Sequence, residues 1–178
     1  MPTSAEPLRD GATLRLRAVP YDDPVAQHLV ERVQQEYVVR YGGRDEAVVE
    51  PADFAPPSGV FLVAEVDGVA AGCGAWRLLA SGEVEIKRVY VEPAHRRRGL
   101  AQRIMAALED GAAHAGHRSV VLNTGQEQPE ALVLYDRLGY RPVPGYGVYA
   151  DAPDAVFLGR ELAQRDGTDD EKGISWVS

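Results

Sequence analysis

Three consecutive arginines, Arg96 to Arg98, and the glycine that follows them form the segment of this chain best suited to chemistry. Pro93 ends the apolar run before them, and Leu100 begins a helix-like apolar pattern directly after Gly99. The start of a helix presents backbone N–H groups without intrahelical partners and the positive end of the helix dipole. Gly99 and the small Ala101 leave room for a ligand to approach that backbone. The segment therefore predicts a binding site for a phosphate group.

The first part of the chain is predicted to form one strand, one helix and one loop. Residues 12–19 alternate between apolar and polar types, which is typical of a half-buried strand. Between Pro24 and Tyr41 apolar residues recur every four positions, which predicts a helix that starts at the proline. Residues 42–58 are rich in glycine, proline and acidic residues, so we expect a loop with one short turn, in a position where loops often line substrate sites.

Three further strands are predicted between this loop and the arginines. Residues 60–66 and 69–79 flank Asp67-Gly68, a dipeptide preferred in two-residue hairpins because both turn positions need positive φ. A third strand over 84–91 follows the Ser81-Gly82 turn. Together they predict an antiparallel meander that ends just before the arginine segment.

Helices and strands alternate in the part of the chain that follows the arginines. Apolar stripes at helical spacing and short buried runs succeed one another, and glycines mark the helix ends. The predicted elements are helices over 100–114 and 129–138 and strands over 118–123, 140–143 and 155–162. This order of elements predicts a mixed α/β fold.

The length of 178 residues fits one domain, which we expect to cover residues 1–163. The last stretch, 164–178, is polar and acidic with two late apolar residues, Ile174 and Trp176. It fits either a loose polar tail or an arm that docks a second copy in a homodimer.

Composition narrows the classes of function. The chain has 19 Lys and Arg against 27 Asp and Glu, a formal net charge of −8. Nucleic-acid binding requires a broad basic face, whereas the positive charge here is concentrated at 96–98, so no nucleic-acid partner is expected. No run approaches the ~20 apolar residues that a membrane span needs. We therefore expect a soluble, cytoplasmic protein with no membrane partner.

The single cysteine, Cys73, excludes an intramolecular disulfide and a cysteine-based zinc site. It lies in a run of small residues, which predicts a buried thiol, with a reactive thiol as the alternative. No two histidines show the i, i+4 spacing on one helix face that a zinc-binding helix of the zincin type has. The histidines are His28, His95, His114 and His117. No metal site is expected.

Two motifs in sequence order resemble the GCN5-related N-acetyltransferase (GNAT) family. The spacing Arg96-x-x-Gly99-x-Ala101 is similar to the family's acyl-CoA pyrophosphate loop. The segment from Leu122 to Tyr140, with Leu-Tyr-x-x-x-Gly-Tyr around Tyr135, is similar to the strand and helix that follow that loop. The resemblance implies the GNAT fold, a central, twisted, mixed and mainly antiparallel sheet with one splayed strand pair and flanking helices. The N-terminal third carries no motif of its own.

The resemblance also implies acetyl-CoA as the cosubstrate, with its pantetheine arm between the splayed strands. It points to the backbone N–H of Val89 as the donor to the thioester oxygen and to Val91 as the partner of the pantetheine amides. Asn123 and Thr124 end the splayed strand and fit either contacts with the bound molecules or simple turn and capping roles. The residues assigned to acetyl-CoA are Val89, Val91, Arg96, Arg97, Arg98, Gly99, Leu100, Ala101 and Asn123.

By the same resemblance Tyr135 is the candidate general acid. A free phenol has a pKa of about 10 and a thiol about 8.5, so the phenol keeps its proton at neutral pH and acts mainly by hydrogen-bonding the departing thiolate. The alternative is a helix tyrosine that only packs.

Glu85 is the candidate general base, because it precedes Arg96 by the interval at which the histone-acetylating branch of the family places its glutamate. Strand alternation predicts that Glu85, Lys87, Val89 and Val91 share one face, the face on which the thioester would lie. A simple ion pair between Glu85 and Lys87 is the alternative. An ammonium with a pKa of about 10.4 is mostly charged at pH 7, so a base of some kind is needed.

The leading hypothesis is an acetyl-CoA-dependent N-acetyltransferase. We expect direct attack on the thioester by a primary amine of a small molecule or, as the less favoured acceptor, by a protein lysine or N-terminus. A catalytically silent acyl-CoA sensor or scaffold is the alternative, and the presence of Tyr135 favours catalysis.

Tyr146 and Tyr149 lie among glycines and a proline, and they predict an aromatic loop at the acceptor mouth, with core packing as the alternative.

Overall fold

The computed structural model of the protein describes residues 4–163. The strands are β1 (Ser4–Pro7), β2 (Thr13–Ala18), β3 (Gly59–Val66), β4 (Val69–Leu78), β5 (Val84–Val91), β6 (Ser119–Gly125), β7 (Arg141–Pro142) and β8 (Ala155–Glu161). The α-helices are α1 (Pro24–Tyr41), α2 (Leu100–His114) and α3 (Pro129–Arg137), and one-turn 3-10 helices cover Pro51–Phe54, Pro93–His95 and Gly147–Tyr149. The predicted tail or docking arm over 164–178 lies outside the described residues. In the described part no helix is long and apolar enough to cross a membrane.

The eight strands form one sheet in the order β1-β2-β3-β4-β5-β6-β8-β7. All neighbours are antiparallel except β5 and β6, which are parallel because α2 connects them as a crossover. The predicted α/β fold with a mixed, mainly antiparallel sheet is confirmed. The predicted strand over residues 12–19 is confirmed as β2, but it is not the first strand, because β1 precedes it. Strand β1 has four residues, ends in a proline and, among the described residues, pairs only with β2, so no alternating pattern marks it in the sequence.

Local signals place the helix ends and the first hairpin as predicted. The Asp23 carboxylate accepts the backbone N–H of Val25 at 2.8 Å and caps α1, and Gly42, with φ of 77°, ends the helix in the left-handed region. Asp67 and Gly68 both have positive φ and join β3 to β4 in a two-residue turn.

Helices cover both faces of the sheet and create two apolar cores. On one face Leu29 and Val33 of α1 pack with Phe61 and the buried Cys73, which confirms the predicted buried thiol. On the other face α2 contributes residues such as Ile104 to a larger core. Alternate β3 residues enter the two cores in turn, as expected for a strand covered on both sides.

Candidate active site

A gap opens between β5 and β6 toward their C-terminal ends. The two strands pair only where Val84–Ile86 lie beside Val120–Leu122. β5 stays paired with β4, and β6 stays paired with β8, so the strands separate without losing their outer neighbours. A cavity of about 40 Å³ lies in this gap. Its walls are formed by Tyr37, Ile86, Lys87, Arg88, Val89, Leu122, Asn123, Thr124, Gln128 and Tyr135.

A β-bulge in β5 lies beside the gap. The register with β4 shifts between Cys73 and Ala75, so that two β5 residues, Arg88 and Val89, oppose the single Gly74. Arg88 has a positive φ of 59°. Neither Arg88 nor Val89 has a register partner in either neighbouring strand. The backbone is therefore irregular at the point where the gap begins.

The bulge reverses the alternation of side chains along β5. Glu85 and Lys87 project to the face covered by α1, where they form ion pairs. Val89 and Val91 pack in the core on the opposite face, beneath α2. The prediction that these four residues share a face is therefore wrong. Strict alternation holds only in a regular strand, and one inserted residue moves every later side chain to the other face.

The loop after β5 leads into the N-terminus of α2. Gly99, with φ of 79°, is the N-cap and provides no side-chain cap, and the first intrahelical bond runs from the Arg103 N–H to the Gly99 carbonyl. The amides before Arg103, including those of Leu100 and Ala101, therefore have no intrahelical partner. The Leu100 side chain is buried and anchors this end of the helix in the core. The helix start on which the predicted phosphate contacts depend is present.

The three arginines of this loop have different surroundings. Arg96 donates to a backbone carbonyl of β5 at 2.9 Å and forms an ion pair with Glu36. Arg98 forms an ion pair with Asp10 at 2.8 Å. Arg97 is exposed, and within residues 4–163 it has no carboxylate partner. Arg97 is thus the arginine most available to an incoming anion.

Tyr135 of α3 reaches the gap between the strands. Its side chain is buried among the core residues below α2, and it forms part of the wall of the 40 Å³ cavity. Burial raises the pKa of Tyr135 to about 12. Its hydroxyl has no hydrogen-bond partner within the described part of the chain. A protonated phenol that faces a cavity can donate a hydrogen bond to a group placed there.

Glu85 is buried, and both of its carboxylate oxygens have partners. The Arg77 Nε lies 2.8 Å from Oε2, and the Tyr146 hydroxyl donates to Oε1 at 3.2 Å. The Lys87 ammonium lies 3.9 Å from Oε1. Burial, together with the Glu85 carboxylate, raises the pKa of Tyr146 above its usual range. Glu85 forms part of neither cavity wall, and its role as a base stays a prediction.

A larger cavity of about 370 Å³ adjoins the gap on the α1 side. The two cavities share four wall residues: Tyr37, Asn123, Thr124 and Gln128. The other wall residues are Tyr41, Gly43, Arg44, Asp45, Glu46, Gly125, Tyr149, Ala152, Asp154 and Ala155. Gly125 leaves room for the Tyr41 ring, since a Cβ atom there would lie too close to the Tyr41 hydroxyl and the ring would have to move. The sequence predicts an acceptor site near Tyr149, and we name this space the acceptor cavity after that prediction.

The acceptor cavity has an excess of negative charge. Arg44 is neutralised by Glu31, which it contacts with both guanidinium nitrogens at 2.8 and 2.9 Å. The carboxylate of Asp45 pairs with cations of β5. Glu46 and Asp154 are exposed, and no cation of the described residues lies within ion-pair distance of either carboxylate. Together with the tyrosine hydroxyls, these carboxylates suit a cationic ligand.

The predicted aromatic loop is divided between two environments. Tyr149 lines the acceptor cavity, and its hydroxyl accepts the backbone N–H of Glu46 at 2.7 Å. Tyr146 instead packs against Phe157, with ring centroids 5.2 Å apart, and binds Glu85. Asn123 lines both cavities, so it is placed to contact a molecule in either of them.

Several residues of the site were not identified from the sequence, including Tyr37, Asp45 and Arg88. No motif marks the first two, because they come from a helix and a loop that meet the gap only in the folded protein. Arg88 did have a signal. The consecutive polar pair Lys87-Arg88 interrupts an otherwise alternating strand, which is typical of an inserted residue.

Comparison with known proteins agrees with this fold. The family model described as the acetyltransferase (GNAT) family matches residues 26–140. The chain is 30% identical over 147 residues to a protein of Azospirillum brasilense named IAA acetyltransferase, covering 82% of this chain and 95% of that relative. It therefore belongs to the GNAT family of acetyltransferases and is an acyltransferase.

Solved structures show the same fold. A Klebsiella pneumoniae protein assigned as an acyl-CoA N-acyltransferase has 29% identity and a TM-score of 0.68, with 83% of this chain and 97% of that chain covered. A GNAT acetyltransferase of Elizabethkingia anophelis, solved with acetyl-CoA bound, has 17% identity and a TM-score of 0.62, with 84% and 98% covered. The latter likeness concerns the fold alone.

Proposed function

We propose that this acyltransferase transfers the acetyl group of acetyl-CoA to a primary amine of a small molecule by direct attack on the thioester. The observation that carries the proposal is the acidic acceptor cavity, which adjoins the gap between β5 and β6. Its unpaired carboxylates, Glu46 and Asp154, attract ammonium groups, and its volume of about 370 Å³ is within the range of small-molecule sites. A protein lysine or N-terminus is the less favoured acceptor, because a cavity of about 370 Å³ matches the size of a small molecule.

The residues present fit acetyl-CoA. The unpartnered amides at the start of α2 and the exposed Arg97 would hold the diphosphate. Beyond Ile86 the backbone of β5 is not paired with β6, so it is available to the amides of the pantetheine arm. Val91 is our proposed partner for these amides. Asn123 lies at the junction of gap and acceptor cavity and would contact the bound arm. Acetyl-CoA supplies an activated acyl group, which needs no redox step.

The chemistry requires three contributions from the protein. The amine nitrogen forms a bond to the carbonyl carbon, and the carbon–sulfur bond then breaks. In our proposal the backbone N–H of Val89 donates to the oxygen that gains negative charge, because Val89 has no register partner in the sheet. Tyr135 donates a hydrogen bond to the departing sulfur. Glu85, which lies outside both cavity walls, receives the proton lost by the amine through an intervening water molecule.

The decisive experiment follows thiol release from acetyl-CoA with a panel of alkyl amines, polyamines, amino acids, aminoglycosides and peptides. We expect turnover with at least one cationic small molecule and weaker turnover with lysine peptides. Turnover with peptides alone would overturn the small-molecule assignment. Tight acetyl-CoA binding without turnover on any amine would identify a sensor rather than an enzyme acting on amines.

A further inference from the structure

The bulge in β5 is held by contacts that the reaction scheme above does not use. Arg88 has a Cβ atom and yet adopts φ of 59°, a region that non-glycine residues avoid for steric reasons. Such a conformation persists only where surrounding contacts enforce it, and it is common at functional sites. Cys73 contributes one contact, since its thiol donates to the Arg88 carbonyl at 3.2 Å.

The remaining restraint comes from Asp45, which lies in the loop after α1. The Arg88 guanidinium and the Lys87 ammonium both bind its Oδ2, the latter at 3.0 Å. Among the described residues, Asp45 is the only side chain that hydrogen-bonds the Arg88 guanidinium, whose Nε has no partner. The side chains are buried, with 2% exposure for Arg88 and 10% for Lys87 and Asp45. Without the carboxylate, two adjacent buried cations would repel each other.

Asp45 is itself fixed by groups of the acceptor cavity and of α1. Its backbone N–H donates to the Gln34 side chain at 2.8 Å. Its Oδ1 accepts the Ala47 N–H at 2.9 Å and the Tyr149 hydroxyl at 3.1 Å. Burial would raise the pKa of Asp45, but Lys87 and Arg88 outweigh it and hold that pKa well below its usual range. One oxygen of the carboxylate thus faces the bulge, and the other faces the acceptor cavity.

We propose that Asp45 is a positioning residue that holds the β5 bulge through Arg88 and thereby fixes the direction of the Val89 N–H. Because Tyr149 binds the same carboxylate, the acceptor cavity and the bulge are parts of one connected unit. The inference rests on the proposed function, in which the Val89 N–H stabilises the oxyanion. A misplacement of about 1 Å in such a donor can lower turnover by about 100-fold.

The main test is Asp45→Asn, which keeps the shape and the Oδ1 acceptor but removes the charge that binds Arg88. We expect kcat to fall about 10- to 100-fold while the Kd for acetyl-CoA, measured by calorimetry, changes by less than about twofold. The matched control is Glu65→Gln, which removes a carboxylate paired with Arg17 in the distant β2–β3 region. Equal effects of the two variants on kcat would overturn the proposal.

A double-mutant comparison tests whether Asp45 acts through Arg88. If it does, adding Asp45→Asn to an Arg88→Met variant should lower kcat little further. Independent, multiplying losses would contradict the proposed route. If either variant does not fold, Tyr149→Phe provides the same test from the exposed side of Asp45. We then expect a lower kcat as well as a higher acceptor KM, and a change in KM alone would overturn the connection.

One measurement does not depend on activity. Amide hydrogen exchange by NMR should be at least about tenfold faster at Arg88 and Val89 in Asp45→Asn than in wild type, with no such change in Glu65→Gln. Unchanged exchange at these amides would reject the positioning role whether or not the protein acetylates amines. If exchange is faster in Asp45→Asn but the wild-type protein acetylates no amine, the role of Asp45 in holding the bulge is supported and the proposed function is rejected.

Discussion

The two halves of this site are built in different ways. The half that we propose to bind phosphate is a contiguous segment, Arg96 to Ala101, and its proposed contacts come mainly from backbone amides at the start of α2. The acceptor half is made of side chains from α1, the loop after it, β6 and the segment before β8. A backbone site retains its ligand while most neighbouring side chains vary, whereas a side-chain site changes its ligand with each substitution. The first half therefore suits a ligand common to a family, and we expect the second half to select the acceptor.

The sharpest test of the backbone half is Gly99→Glu. A side chain there adds bulk and negative charge where we place the diphosphate, so we expect acetyl-CoA binding to become undetectable by calorimetry. Gly116→Glu is the matched control, because Gly116 also has a positive φ, 93°, and open space around it, yet lies at the far end of α2. Normal binding by Gly99→Glu, or equal loss in both variants, would refute the loop assignment.

Tyr135→Phe tests the point where the two halves meet. We expect kcat to fall about 100-fold, as for loss of a general acid, with acetyl-CoA affinity within about twofold of wild type. Since burial raises the pKa of Tyr135 to about 12, its deprotonation should cause no loss of activity below about pH 11. Tyr140→Phe is the control. The Tyr140 hydroxyl donates to Glu109 on α2, so its loss should lower Tm rather than kcat. Unchanged kinetics in Tyr135→Phe would mean that the departing thiolate receives its proton from solvent rather than from Tyr135.

Glu85→Gln tests the predicted base. We expect kcat/KM at pH 7 to fall about tenfold, and the loss to shrink as the pH rises toward the amine pKa of about 10.4, because more of the acceptor is then neutral in solution. Glu65→Gln again controls for loss of a carboxylate paired with an arginine. A loss that does not depend on pH would make Glu85 a structural partner of Arg77.

The acceptor half should respond to its unpaired carboxylates. In the double variant Glu46→Gln/Asp154→Asn we expect KM for a cationic acceptor to rise about fivefold at low salt and less at high salt, with kcat unchanged. Glu161→Gln, which removes one exposed carboxylate at the other end of β8, is the control for loss of negative charge away from the cavity. Equal KM values for the double variant and wild type would show that the ammonium group of the acceptor does not bind near Glu46 and Asp154.

The smallest effect should come from the ion pairs of the arginine loop. Asp10→Asn frees Arg98 for the diphosphate and should strengthen acetyl-CoA binding about twofold, since exposed ion pairs contribute little. Calorimetry at low ionic strength measures the change. Weaker binding would mean that Asp10 orders the loop for the ligand rather than competing with it.

Most of the fold could be predicted from the sequence because its signals are local. The start of α1 at Pro24, the Asp67-Gly68 turn and the alternation of β2 each depend on a few neighbouring residues, and the structure confirms them. Strand β1 escaped prediction because its only support is an edge pairing with β2. The common face assigned to Glu85 and Val89 was wrong for a related reason, since the bulge arises from pairing with β4.

The sequence by itself determined the helix start at Gly99, the buried Cys73 and the family motifs, because backbone conformation and burial follow from residues close together in the chain. Only the tertiary structure decided what surrounds the gap. Asp45 and Arg88 are 43 positions apart, and Asp45 and Tyr149 are 104 apart, yet each pair forms a hydrogen bond. Such contacts exist because the sheet and α1 bring distant segments together, and no local pattern records that geometry.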